Sequence, residues 1–202
     1  MLTLFHAPRS RSTRIIALLH ELDAMNKVDI QVVTIPRVDG SGGPDPRNPH
    51  PDRKVPFLVH NGVEIWESSA IILYLTELFP DAKMGPVVGE PLRGAYLSWL
   101  AWYGDVVEPV MVLQAAGLSH PFLQATFRGM PELVARLEKA LSDKPFLLGD
   151  RFTAADLLLH SPFAWYRDAV PDVPVIKAWI ERCDGRASVG QAAEFDKTAK
   201  AA

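Results

Sequence analysis

The first eighty residues switch hydrophobic period from strand to helix and back, and that order leaves few folds open. Residues 2–6, LTLFH, form an apolar run of strand length, and residues 13–22 space their apolar side chains as a helix. Residues 29–35 are β-branched and read as a second strand. A strand, helix and strand in that order make a βαβ unit, so the two strands are expected to be parallel. Residues 37–53, RVDGSGGPDPRNPHPDR, hold too much Gly, Pro, Asp and Asn for a long regular element. VPFLVHNGVEIW then places two apolar runs around Asn61-Gly62, the dipeptide suited to the positive φ angles of a tight hairpin turn. Residues 68–79 return to helical spacing and stop at Pro80.

The first domain, residues 1–80, is therefore α+β in the order βαβ-ββα, and residues 81–90, DAKMGPVVGE, read as a linker. From there the period is helical throughout, over residues 92–116, 121–141, 154–167 and 173–186, which makes residues 91–202 an all-α domain. Thr153 followed three residues on by Asp156 has the form of a capping box at the third of these helices. Residues 197–202 are expected to fray.

Charge and composition remove several function classes. The 21 basic and 24 acidic residues are interleaved and leave a net charge of -3, with no basic stripe for nucleic acid. No apolar stretch approaches the roughly 18 residues of a membrane span. The N-terminus lacks the pattern of a secretory signal, so the expectation is a soluble cytoplasmic protein. Cys183 is the only cysteine, which excludes an internal disulfide and a CxxC redox centre, and the scattered histidines have no metal-ligand spacing. No metal is expected.

Three stretches of the first domain hold residues suited to chemistry. In APRSRSTRIIALL, Ser10 and Ser12 stand where a strand gives way to a helix, whose first N–H groups favour an anion. Ser12, just before Thr13, reads as an N-cap, with Ser10 facing a ligand. In Lys54-Val55-Pro56, Pro56 reads from the residues alone as a trans proline opening a strand; a cis bond would turn the Val55 backbone towards a peptide-like ligand. In Glu67-Ser68-Ser69, Ser68 is placed to cap the next helix, and Glu67 can accept from an ammonium beside the helix N-terminus. That pair suits an α-amino acid end.

Taken in order, APRSRSTRIIALL, NPHPDRKVPFLVHNGVEIWESSAIILYL and FLLGDRFTAADLLL resemble the cytosolic glutathione S-transferases, of bacterial type, over residues 2–186. The resemblance implies a thioredoxin-like first domain that binds glutathione as co-substrate and a helical second domain that contributes the pocket for a small hydrophobic electrophile. It also implies a detoxifying transferase acting as a homodimer, with no nucleic-acid or membrane partner. By the same resemblance the Pro56 bond is cis, Val55 pairs its backbone with the cysteinyl part of glutathione, Glu67 and Ser68 hold the γ-glutamyl end, and Lys54 meets the glycyl carboxylate. Asp52-Arg53 departs from the commoner Gly at the glycyl end. With neither Tyr nor Cys in the first loop, the sequence resembles the serine-type enzymes, and Ser10, four residues before Arg14, is the expected thiol-activating residue with Ser12 second. Trp99, Trp102, Tyr103, Val106 and Val110 follow helical spacing, which suits a core stripe, and Trp102 and Tyr103 are the candidates for the electrophile pocket wall. His6 and Arg9 are placed at the mouth or on the surface. The alternative function is a non-catalytic glutathione-binding or protein-interaction member of the same fold.

Overall fold

The structure is a computed structural model that describes residues 1–201. The chain forms two compact units, one of Met1–Met84 with Arg186–Ala202 and one of Gly85–Gly185. The first unit holds a four-stranded sheet of β1 (Leu2–His6), β2 (Asp29–Val32), β3 (Phe57–His60) and β4 (Val63–Trp66), in the order β2-β1-β3-β4. β1 runs parallel to β2 and antiparallel to β3, with Phe5 opposite Gln31 on one side and Phe57 on the other. β3 and β4 form the expected hairpin, with His60 opposite Val63 and Asn61 and Gly62 both at positive φ.

β1 and β3 are the inner strands, so their side chains are the most buried; Leu4, Phe57 and Leu58 are inaccessible. α1 (Thr13–Glu21) adds Ile15, Ile16, Leu18 and Leu19 to that core, and α2 (Ser68–Leu78) adds Ile71, Ile72 and Leu75 at helical spacing. β2 ends at Val32, short of the expected Ile35. The next residues enter the irregular segment, where Asp45 takes the Thr34 N–H at 3.2 Å in place of a ladder partner.

The second unit contains α3 (Arg93–Trp102), α4 (Glu108–Ala115), α5 (Pro121–Phe127), α6 (Met130–Leu141), α7 (Ala154–Trp165) and α8 (Pro174–Asp184). The single helix expected over residues 92–116 is interrupted by a widened π turn at Tyr103–Val107. Pro109 follows it and has no N–H for the carbonyl of residue 105, so the ladder shifts, and the Glu108 N–H reaches Tyr103 O instead. The expected helix over residues 121–141 is two helices, because Arg128 turns to φ 62 and Gly129 is extended. α6 then restarts with Gly129 N–H donating to Glu132 at 3.1 Å.

The region assigned from sequence to one helical domain, residues 91–202, is shared between the units. A helix that periodicity does not reveal, α9 (Ala187–Thr198), packs on α1 of the first unit. Its small residues Ser188 and Ala192 are buried there, which allows close approach. Residues expected to fray from 197 onward stay helical to Thr198, and Ala202 lies outside the described residues. Among the described residues no helix is long and apolar enough to cross a membrane.

Candidate active site

Residues 7–12 join inner strand β1 to α1, and the loop is held from three sides. Arg9 turns through φ 51, and the Arg37 guanidinium donates to Pro8 O at 2.7 Å and Arg9 O at 3.1 Å. From α9, Asp196 Oδ2 accepts the Arg9 N–H at 2.5 Å and the Thr13 hydroxyl at 2.7 Å. Burial pushes the Asp196 carboxyl up, but its bonds to His6, Thr13 and Arg9 outweigh that and hold it below its ordinary value.

The two serines divide the work differently from the sequence expectation. Ser12 does occupy the N-cap position of α1, but its hydroxyl makes no cap bond. It turns inward, accepting the Ala7 N–H at 3.0 Å and lying 2.8 Å from His6 Nδ1. The hydroxyl that takes a helix-entry amide belongs to Ser10, which accepts the Ser12 N–H at 3.1 Å. The two hydroxyls are 2.7 Å apart. Ser12 is 0% exposed and Ser10 5%, so of the pair only Ser10 offers any surface to a ligand.

His6, expected at the mouth or on the surface, is instead 0% exposed. It is the last residue of an inner strand, and alternation turns its ring into the interior beneath α9, edge-on to Phe195 at 5.6 Å. His6 Nε2 lies 3.1 Å from Asp196 Oδ1, bent away from a straight hydrogen bond. Arg9 remains on the surface.

The Val55–Pro56 peptide is cis, as the resemblance implies. Val55 is half-buried, Pro56 buried and Lys54 exposed. The approach is fixed by Asn48, which is inaccessible and donates its amide to Lys54 O at 3.0 Å while accepting the His50 N–H at 3.1 Å. Arg53 also donates to Asn48 O. Ser68, expected to cap α2, is the first helical residue; the N-cap position falls to Glu67, which makes no side-chain cap bond. Glu67 stands at φ 67 and ψ 129, a conformation non-glycine residues seldom hold, with its side chain exposed and Ser68 buried behind it.

Trp102 and Tyr103 belong to the second unit. Tyr103, at the π turn, is 2% exposed and is a core residue there rather than an open wall. Trp102 is half-buried, with Trp99 edge-on at 5.3 Å and the Arg136 guanidinium 5.1 Å above its ring. Sequence reasoning misses His6 as a buried group, includes Asn48 in a signature without giving it a role, and misses Asp196 altogether. The Asn-Pro dipeptide is a signal for Asn48; Asp196, 183 residues from Thr13, has none.

A βαβ-ββα unit with a cis-proline loop, followed by a helical unit, is the architecture of a glutathione transferase. The chain belongs to the glutathione S-transferase family: its N-terminal domain description matches residues 4–84 and its C-terminal domain description residues 117–187. Glutathione S-transferase U22 of Arabidopsis thaliana is 26% identical over 151 residues, covering 69% of this chain and 67% of that protein. Among solved structures, a glutathione transferase from Methylococcus capsulatus superposes with a TM-score of 0.79 at 24% identity, covering 98% of this chain and 100% of that one. A sphingomonad glutathione S-transferase complexed with glutathione does so at 0.77 and 24%, again over 98% of this chain and 100% of that one.

Proposed function

We propose that this glutathione transferase stabilises the thiolate of glutathione at Ser10 and conjugates it to small, mostly hydrophobic electrophiles. The observation that carries the reading is the hydroxyl pair at the entry of α1, where Ser10 is the one of the two residues with any exposed surface. A free thiol of pKa about 8.5 is only a few per cent ionised at neutral pH. A hydroxyl hydrogen bond at a helix N-terminus favours the anion, and a two-unit drop, about 2.7 kcal/mol, raises the thiolate fraction roughly 20-fold. Lower basicity takes back roughly 8-fold of that in nucleophilicity, so most of the remaining acceleration comes from holding the electrophile beside the sulfur.

In this reading the Val55 backbone, presented by Pro56, pairs with the cysteinyl part of glutathione. Exposed Glu67 takes the γ-glutamyl ammonium, Ser68 and the start of α2 take the neighbouring carboxylate, and Lys54 meets the glycyl end. The sphingomonad complex supports glutathione as the ligand. Trp102 is the pocket-wall residue of choice, since Tyr103 is closed off. A homodimer and a cytoplasmic location complete the proposal by family likeness.

The test is the ultraviolet thiolate absorbance of bound glutathione against pH. Wild type should show a pKa below that of free glutathione, and Ser10→Ala should return it to the free value while binding persists. Binding without any thiolate shift in wild type would instead make the protein a glutathione-binding module.

A further inference from the structure

His6 and Asp196 stand behind the serines in a continuous line. Asp196 Oδ1 is 3.1 Å from His6 Nε2, His6 Nδ1 is 2.8 Å from Ser12 Oγ, and Ser12 Oγ is 2.7 Å from Ser10 Oγ. His6 and Ser12 are inaccessible and the Asp196 side chain is 5% exposed, so the line is shielded from bulk solvent. Hydrogen counting and the shorter of two contacts set the direction of the line. A carboxylate beside Nε2 selects the tautomer protonated there, which leaves Nδ1 an acceptor. Ser12 has one hydroxyl proton and two acceptors in reach, Ala7 O at 3.2 Å and Nδ1 at 2.8 Å, and the shorter contact takes it to Nδ1. Ser10 then gives its proton to Ser12. With a neutral imidazole the Ser10 hydroxyl therefore points inward and cannot donate to a thiolate. Protonating Nδ1 reverses every bond: His6 donates to Ser12, Ser12 to Ser10, and Ser10 outward.

We propose that His6 and Asp196 are positioning residues that take up the proton of the glutathione thiol through Ser12 and Ser10, so that thiolate formation and His6 protonation are one event. The proposal rests on the reading above that Ser10 meets the thiol. The S–H bond breaks and its proton passes to Ser10 Oγ; the Ser10 proton passes to Ser12 Oγ, and the Ser12 proton to His6 Nδ1. The electron pair stays on sulfur, so no oxidant or reductant is needed. The products are a thiolate receiving the Ser10 hydrogen bond and an imidazolium facing the Asp196 carboxylate. When an electrophile consumes the thiolate, the proton returns from His6 along the same hydroxyls to the leaving group or to the anion formed on the adduct.

The charged groups around His6 fit that role. Asp196 is the group in contact, and its other oxygen is already held by Thr13 and the Arg9 N–H. Arg9 itself is exposed, and Arg14 is buried in the first turn of α1. Lys197 and Glu194, the flanking charges on α9, pair with each other at 2.9 Å.

The decisive experiment uses wild-type protein. Glutathione binding is followed by calorimetry in buffers of different ionisation enthalpy, with thiolate absorbance and the ¹⁵N signals of the His6 ring read in parallel. The expected result is thiolate formation with almost no proton delivered to buffer and a His6 ring that becomes imidazolium. Asp196→Asn and His6→Asn should each raise the bound thiol pKa by about one unit, roughly a threefold loss of thiolate at pH 7 for a wild-type drop of about two units, with the proton now appearing in buffer. A wild-type thiolate whose proton goes one-for-one to buffer while His6 stays neutral overturns the relay and leaves Ser10 in its role. Absence of any thiolate in wild type removes both the Ser10 role and the relay. Both of these outcomes are read on wild type, so neither depends on the variants folding.

Discussion

Asp156 carries four hydrogen bonds on two oxygens. Oδ1 accepts the Leu147 N–H at 2.8 Å and the Trp179 indole N–H at 3.0 Å; Oδ2 accepts the N–H and the hydroxyl of Thr153, both at 3.0 Å. An amide at this position would aim its NH₂ at the Leu147 and Trp179 N–H groups or, turned over, at the Thr153 N–H, since only the Thr153 hydroxyl can rotate to accept. Asp156→Asn should therefore cost about 2–4 kcal/mol, more than the loss of a single bond, because buried donors are left unsatisfied. Urea denaturation checks this, and a loss below about 0.5 kcal/mol, the scale of an ordinary surface change, would refute it. The Thr153 half of this cluster is legible from three-residue spacing, whereas the Trp179 half joins positions 23 residues apart on different helices. The active-site loop divides in the same way. Ser10 and Ser12 announce themselves at a strand-to-helix boundary, but whether a hydroxyl caps or turns inward depends on His6 and Asp196, which local sequence does not bring together.

At the scale of elements, a period is readable and an interruption is not. Residues 121–141 keep their apolar spacing across the break at Arg128 and Gly129, so periodicity alone joins two helices into one. α9 escapes the same reading because its sequence, ASVGQAAEFDKT, has few large apolar residues and a glycine inside it; its contact with α1 is made through small ones. α7 shows a repair that the sequence does carry. Pro162 lies inside this helix and has no N–H for the carbonyl of Leu158, four residues back. The buried Ser161 hydroxyl donates to Leu158 O at 2.7 Å and supplies the missing bond. Ser161→Ala should leave that carbonyl unpaired in the interior and cost about 1–2 kcal/mol, seen as a lower denaturation midpoint with an unchanged slope. In a Pro162→Ala background the helix regains its own N–H, and the penalty of Ser161→Ala should shrink; an equal penalty in both backgrounds would rule out the repair.

At the scale of the whole molecule, the chain leaves its first unit at Met84 and returns to it at Arg186, and the return is fastened to α1. The Arg186 guanidinium holds both oxygens of Glu21, at 2.9 and 2.6 Å, and the Ser188 hydroxyl donates to one of them at 2.6 Å. This fastening sets where α9 lies, and α9 in turn carries Asp196 to the active-site loop. Burial pushes the Glu21 carboxyl up, but the Arg186 and Ser188 bonds prevail and hold it below its ordinary value of 4.5. A carboxyl whose pKa is depressed on folding stabilises fully above its unfolded value, and the contribution is lost as pH falls through the lower folded value. Wild type should therefore melt above Glu21→Gln at neutral pH, and the gap should close as pH drops below about 4.5, the unperturbed carboxylate range. The variant keeps the shape of the side chain but not its charge, so a gap that persists unchanged to acid pH would mean that packing, rather than the ion pair, fastens the tail. Active-site function should follow the same titration: where Glu21 protonates and α9 loosens, Asp196 leaves the loop, and Glu21→Gln at neutral pH should raise the bound thiol pKa towards that of Asp196→Asn. A normal thiol pKa in a variant whose tail has become protease-sensitive would separate the docking of α9 from the chemistry at Ser10.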